Sequence, residues 1–214
     1  MKKLGLLHTS ATLVPVFAEL CARHLPGVET YNLVDDSLIK NTIAEGRLSP
    51  ATARRVAAHI GSLEAAGAGH ILVTCSSIGA AVEAAEPLTG VPVLRVDRPM
   101  ADRAVALGRR IGVIATLATT LEPTADLVRR RALAAGREID LTVAVCDGAF
   151  EALMGGDPEA HDDSVARTLD RLGAEADVIV LAQASMARVL DRVPSPVPVL
   201  TSPALAIEHL AGAL

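Results

Sequence analysis

His70-Ile71-Leu72-Val73-Thr74-Cys75-Ser76-Ser77-Ile78-Gly79 is the stretch from which the fold can be read. An apolar run of strand length ends in a thiol, two hydroxyls and a glycine, and an alanine-rich helical segment follows. In α/β proteins ligands bind beyond the carboxyl ends of the strands, so reactive groups are expected at such a strand-to-helix turn. A helix starting at Ser76 or Ser77 would aim free N–H groups and its positive dipole end at the thiol. That setting predicts a Cys75 pKa below the free-thiol value and can hold a carboxylate alongside. The alternative is a buried Cys75 serving as a small hydrophobe.

Outward from this stretch the chain alternates strands and helices. Lys3 to Thr9 reads as the first strand, and an amphipathic helix capped by Ser10 or Thr12 follows, with Cys21 in its core face. Val28 to Val34 is a second strand, and 38–48 reads as irregular, either a lid or a solvated loop. Ser49-Pro50 opens a helix that Gly67 and Gly69 end, with Ser as cap and Pro at the first position. Val91 to Val96 is the next strand, and a helix begins near Met100. Then the plan restarts, with strands at Arg110–Ala115, Asp140–Val145, Asp177–Ala182 and Val197–Leu200. Helices are expected over 119–135, 157–174, 185–190 and 203–212, and the charged stretch Glu159 to Asp163, His161 included, reads as a solvated helix start.

The restart is an internal repeat. Lys2-Lys3-Leu4-Gly5-Leu6-Leu7-His8-Thr9-Ser10-Ala11-Thr12 aligns with Arg109-Arg110-Ile111-Gly112-Val113-Ile114-Ala115-Thr116-Leu117-Ala118-Thr119. Ile71 to Ser77 aligns with Ile179 to Ser185 at nearly the same offset, and Val91-Pro92-Val93-Leu94 recurs unchanged as Val197-Pro198-Val199-Leu200. The predicted fold is therefore α/β, in two pseudo-symmetric lobes, each a mainly parallel sheet flanked by helices, with the active site in the cleft between them. The lobes are placed at 1–97 and 98–202, with the final helix, within 203–214, packing back on the first. Cys75 and Gln183 then approach one small ligand from opposite sides.

Composition narrows the function. Half the residues are hydrophobic yet only 1% are aromatic, so the core is built from Ala, Val, Leu and Ile. Net charge is −5, and Arg129-Arg130-Arg131 is the only basic triplet, which argues against nucleic acid as a partner. No apolar run approaches the roughly 18–20 residues that span a bilayer, so no membrane partner is expected. Cys21, Cys75 and Cys146 form neither a disulfide framework nor a zinc pattern, so no metal is expected and a cytoplasmic setting is the default. Whether the chain forms a homo-oligomer is left open.

With these segments in place the sequence resembles the aspartate/glutamate racemase superfamily, which includes hydantoin racemases, maleate isomerases and arylmalonate decarboxylases. The resemblance spans nearly the whole chain. It is carried by Val73-Thr74-Cys75-Ser76-Ser77, by Ile111 to Thr120, and by Val180-Leu181-Ala182-Gln183-Ala184-Ser185-Met186-Ala187. It implies a cofactor-independent enzyme acting at a carbon next to a carboxylate, with facing cysteines as acid and base. By position, Cys75 matches the first catalytic cysteine, and Ser76 and Ser77 match the residues that follow it. Thr116 and Thr120 match the carboxylate-binding turn, Thr9 and Ser10 match the turn after the first strand, and Ser185 joins these substrate-binding candidates.

Gln183 stands where the second cysteine belongs. Two-base racemisation needs a titratable group on each face of the carbon, and a primary amide only donates or accepts hydrogen bonds. Cys146 is a candidate substitute acid, against a plain strand-end residue or a non-catalytic contact. His8 is a candidate to take the thiol proton, against an ordinary half-buried histidine. Three functions stay open for a small carboxylic acid: one-base proton transfer through Cys75 in a racemase or isomerase, decarboxylation with Cys75 as the single proton donor, and carboxylate binding without turnover.

Overall fold

The computed structural model describes residues 2–214. The chain forms two compact units, one running up to Arg98 and including Pro203–Leu214, the other Pro99–Ser202.

In the first unit β1 (Lys3–His8) leads through α1 (Leu13–His24) to β2 (Glu29–Val34). Helices α2 (Ser37–Ala44) and α3 (Pro50–Ala65) precede β3 (His70–Val73). A single 3-10 turn (Ser76–Ile78) and α4 (Gly79–Ala85) then lead to β4 (Val93–Arg95). The strands are parallel in the order β2-β1-β3-β4. Alternation along the strands divides the core between two faces. Leu7, Ile71 and Val73 pack with Leu38, Val56, Ile60 and Ile78. Leu4, Leu6 and Leu72 pack with Phe17, Cys21 and the last helix residues Ala206, Ile207 and Leu210. Both central strands are therefore continuous apolar runs, as a sheet covered on both faces requires.

The second unit, entered along α5 (Arg98–Leu107), repeats this plan. It contains β5 (Arg110–Ala115), α6 (Ala118–Ala134), β6 (Asp140–Val145), α7 (Ala149–Met154) and α8 (Pro158–Gly173). After β7 (Val178–Leu181) come a 3-10 segment (Ala184–Asp191), β8 (Val199–Thr201) and α9 (Ser202–Ala213). Its parallel order is β6-β5-β7-β8, which is the first order again with each strand advanced by four. The sequence repeat is thus a repeat of topology. Its recurring prolines even do the same thing: Ile71 N–H donates to Pro92 O and Ile179 N–H to Pro198 O, both at 2.9 Å. Its recurring glycines also match. A Cβ at Gly5 would lie 3.2 Å from Leu63 of α3, and one at Gly112 would lie 2.4 Å from Ile179 and 3.4 Å from Leu172 of α8. In each unit the glycine lets a helix settle closely on the first strand, β1 or β5.

One local expectation fails. Residues 38–48, read as irregular, begin with α2. The reason lies in Asp35, whose Oδ1 accepts from the Ser37 N–H at 3.1 Å and from its hydroxyl at 2.5 Å, tying down the helix start. Leu38 and Thr42, four residues apart, are buried on the face turned to the core. By contrast the Ser49 cap stands as read, with its Oγ accepting from Thr52 N–H. Among the described residues no helix is long and apolar enough to cross a membrane.

Asp35 also accepts from Arg55 Nη2 at 2.5 Å and from His59 Nε2 at 2.7 Å. Burial alone would raise its pKa, but bonds from Ser37 and His59 and the charge of Arg55 hold it at about 2. A carboxyl depressed from an unfolded value of ~3.9 stabilises the fold fully above that value and loses the contribution as pH falls through the folded one. Asp35→Asn should therefore destabilise the protein by about 1–3 kcal/mol at pH 7. Urea unfolding at pH 7 and at pH 2.5 should show the gap between wild type and variant narrowing at the lower pH.

Candidate active site

β1 and β3 are hydrogen-bonded neighbours, and their carboxyl ends bring Thr9 and Cys75 together. Thr74 N–H donates to Leu7 O at 3.0 Å, which carries the pairing to the last residue before the thiol. Cys75 itself stays extended (φ −130°, ψ 118°) and partly exposed. Hydrogen bonds from the Thr9 hydroxyl, the Ser77 and Ile78 N–H groups and the Ser77 hydroxyl converge on its sulfur. Ser76 and Ser77 are buried. Ser10 lies further out, its Oγ 2.7 Å from Thr12 Oγ1 and pointing the bond back into its own turn.

The expected depression of the Cys75 pKa is reversed. Burial pushes the thiol above its ordinary value, and the four bonds offset this only in part. A single 3-10 turn, rather than an α-helix, follows the thiol, and α4 behind it has only seven residues. The resting group is a hydrogen-bonded thiol.

His8 does not pair with that thiol, which corrects its reading as a catalytic partner. The ring is fully buried, with Nδ1 2.9 Å from Thr74 Oγ1 and Nε2 2.9 Å from Asn32 Oδ1. Burial lowers its pKa, only partly offset by the bond to Asn32. The Thr74 hydroxyl donates to Leu7 O at 3.2 Å, and both ring nitrogens are engaged with Thr74 and Asn32 rather than with the thiol. His8 instead braces the ends of β1, β2 and β3.

In the second unit the equivalent turns carry different chemistry. Thr116 N–H donates to Gln183 Oε1 at 2.5 Å and Thr116 Oγ1 donates at 3.0 Å. A backbone N–H can only donate, so these bonds fix which end of the amide is oxygen. The Gln183 NH2 is thereby the end of the amide left to donate. Thr120, in the first turn of α6, is buried, and Ser185 is partly exposed. Beside them Thr119 Oγ1 is buried without a hydrogen-bond partner, marking a hydroxyl that the sequence reading quoted but did not assign.

Cys146 is 2% exposed among Ile114, Val165 and Leu181 and is bonded to Thr168, and burial pushes its thiol up. It is a core residue, so its reading as a substitute acid falls away. His161 and Asp162 are likewise buried, which corrects the solvated reading for these two, while Glu159, Ala160 and Asp163 are exposed as read. His161 Nδ1 is 2.8 Å from Asp162 Oδ1, and Asp162 Oδ2 also holds Arg188 Nε at 2.9 Å and Arg192 Nη1 at 3.3 Å. Two arginines reaching over from the 3-10 segment and its cap are what draw this pair inside. Among the described residues no group of His, Cys, Asp and Glu is spaced to hold a metal ion.

The first testable consequence is the thiol's titration. The iodoacetamide rate at Cys75 should have a midpoint above the free-thiol value of ~8.5, and Thr9→Val should raise it further by removing one donor. A stopped-flow alkylation series from pH 6 to 11 measures both.

Comparison with known proteins comes to the same fold. The family described as Asp/Glu/Hydantoin racemase matches residues 4–210. A comparison with curated protein sequences found no match. Among solved structures, the aspartate racemase of Picrophilus torridus is 15% identical at a TM-score of 0.77, covering 99% of this chain and 95% of its own. A glutamate racemase isoform of Bacillus anthracis is 17% identical at 0.74, covering 100% of this chain and 81% of its own. A mutant of arylmalonate decarboxylase with associated sulfate is 20% identical at 0.61, covering 98% of this chain and 93% of its own.

Proposed function

This chain belongs to the Asp/Glu/hydantoin racemase family, and from that premise we propose that it moves a proton at the carbon next to the carboxylate of a small acid, using Cys75 as its single acid/base group. The observation that carries the reading is the pair of bonds from Thr116 to Gln183 Oε1. They support reading the amide as the group that stands in for the family's second thiol, with its NH2 donating to a carboxylate or carbonyl oxygen. Charge that develops on that oxygen as the proton leaves is stabilised there, which is where a fixed donor accelerates a reaction most. Ser76 and Ser77 in the first unit, and Thr116, Thr119 and Thr120 in the second, are the proposed carboxylate-binding hydroxyls. Small size and aliphatic character follow from a chain with almost no aromatic side chains for stacking.

The raised Cys75 thiol favours a second reading, decarboxylation. A group that rests protonated is suited to giving a proton rather than taking one. Loss of carbon dioxide leaves the bonding pair on the adjacent carbon as an enediolate-like carbanion, and the S–H proton goes to that carbon. The thiolate left behind takes a proton from water. One thiol suffices, and no base is needed.

Proton NMR in deuterium oxide with a panel of small carboxylic acids separates the readings. The expected result is exchange at the carbon next to the carboxylate with retention of configuration, or release of carbon dioxide under the second reading. Cys75→Ala should lower either by at least a hundredfold, the usual scale of a positioned acid/base group. Gln183→Cys should introduce or raise racemisation. Efficient racemisation by the unaltered protein, persisting in Cys146→Ala, would overturn the single-thiol reading. Binding without exchange or release for every acid would point to a carboxylate-binding protein.

A further inference from the structure

Behind the thiol turn lies a buried charged cluster that the proposed reaction does not use. The Arg95 side chain, at the end of β4, is 3% exposed, and Asp97 is wholly buried. Arg95 Nε and Nη2 donate to the two carboxylate oxygens of Asp97, each at 2.8 Å, in a bidentate fork. The remaining nitrogen, Nη1, lies 3.1 Å from Glu83 Oε1 on α4. Two carboxylates from two directions therefore pin the guanidinium plane.

Against that plane sits Gly79. A Cβ there would be 2.4 Å from Arg95 Cζ and Nη2 and 2.7 Å from Nε. Gly79 and Glu83 are four residues apart on α4 and so share one helix face. One position leaves room for the guanidinium and the other supplies a carboxylate to it. Gly79 is also the residue that ends the Ser76–Ile78 turn, its N–H donating to Ser76 O. The turn so closed carries the Ser77 and Ile78 N–H groups that bond the Cys75 sulfur.

We infer that Arg95 is a positioning residue for the Cys75 thiol, seating the Gly79–Glu83 face of α4 and thereby holding the Ser77 and Ile78 N–H groups on the sulfur. It rests on the proposed function only for the purpose of that thiol. Alkylation needs no substrate, so it can fail or succeed independently of the reaction assigned above. A buried ion pair of this kind is a weak source of net stability, because desolvation of both charges opposes their attraction. Geometry is what the cluster contributes.

The test uses Gly79→Ala, which pushes α4 off the guanidinium, and Glu83→Ala, which cuts the tie while leaving the Arg95–Asp97 fork intact. Glu86→Ala, at an exposed position just beyond α4, is the control. Iodoacetamide rates at Cys75 are followed by mass spectrometry from pH 6 to 11, beside thermal unfolding by circular dichroism. The plateau at high pH reports access to the sulfur, and the midpoint reports the donors around it. Both variants should move the midpoint upward by about half a unit or more, which slows labelling at pH 8 about threefold. Glu86→Ala should not move it. Removing the Glu83 charge would by itself lower the midpoint, so a rise in Glu83→Ala reports displaced donors rather than altered charge. A midpoint equal to wild type or lower in a folded Glu83→Ala overturns the inference, even where thermal stability falls. Should Gly79→Ala fail to fold, Glu83→Ala decides alone.

Discussion

The parallel pairing of the first and third strands of each unit is the constraint on which the rest depends. β1 beside β3 brings Thr9 and Cys75 to the same sheet end, and β5 beside β7 does the same for Thr116 and Gln183. The hydrogen bonds Thr74 N–H to Leu7 O and Ala182 N–H to Ile114 O continue each pairing by one step beyond the strands. A slip of one residue would turn every side chain to the opposite face, sending Leu7 and Val73 out of their cluster. Burial on both faces of the sheet forbids that slip. The groups at these sheet ends inherit their placement from a register that the core enforces.

The same scaffold then carries unequal chemistry. In the first unit the second residue after the third strand bears sulfur, and donors from two hydroxyls and two backbone amides gather on it. In the second it is an amide whose oxygen is already taken by Thr116. Repeat and register are symmetric, but proton chemistry is not, because only the thiol can exchange a proton near neutral pH.

Much of this was legible in the sequence, because the signals were local or repeated. Apolar runs bounded by Gly, Pro and polar turns marked the strands. Gly5 with Gly112, and Pro92 with Pro198, recur because each performs one packing or pairing task twice. What escaped depends on residues distant in the chain. α2 needed the Asp35 carboxylate and a core contact for Leu38, neither of which shows in the polar stretch 38–48. His8 could not be judged until Thr74 and Asn32 were known to flank its ring. His161 looked solvated because its sequence neighbours are charged, whereas arginines from a segment some thirty residues on enclose its partner Asp162.

The Cys75 titration was misjudged for a further reason, and it bears on mechanism. A helix N-terminus lowers a thiol's pKa through the partial charges on its unsatisfied N–H groups, an effect confined to the first turn. Here the segment after Cys75 is a 3-10 turn joined to a short helix, and the helix face is committed to Arg95. The sulfur is consequently surrounded by neutral donors instead of net positive charge. Neutral donors stabilise a thiolate once it forms, but they do not overcome the cost of burying it at rest. Such a site keeps its proton until a partner with comparable basicity arrives, and a carbanion next to a carboxylate is far more basic than a thiolate. In the reading proposed above, proton delivery to carbon is therefore the easy direction at Cys75.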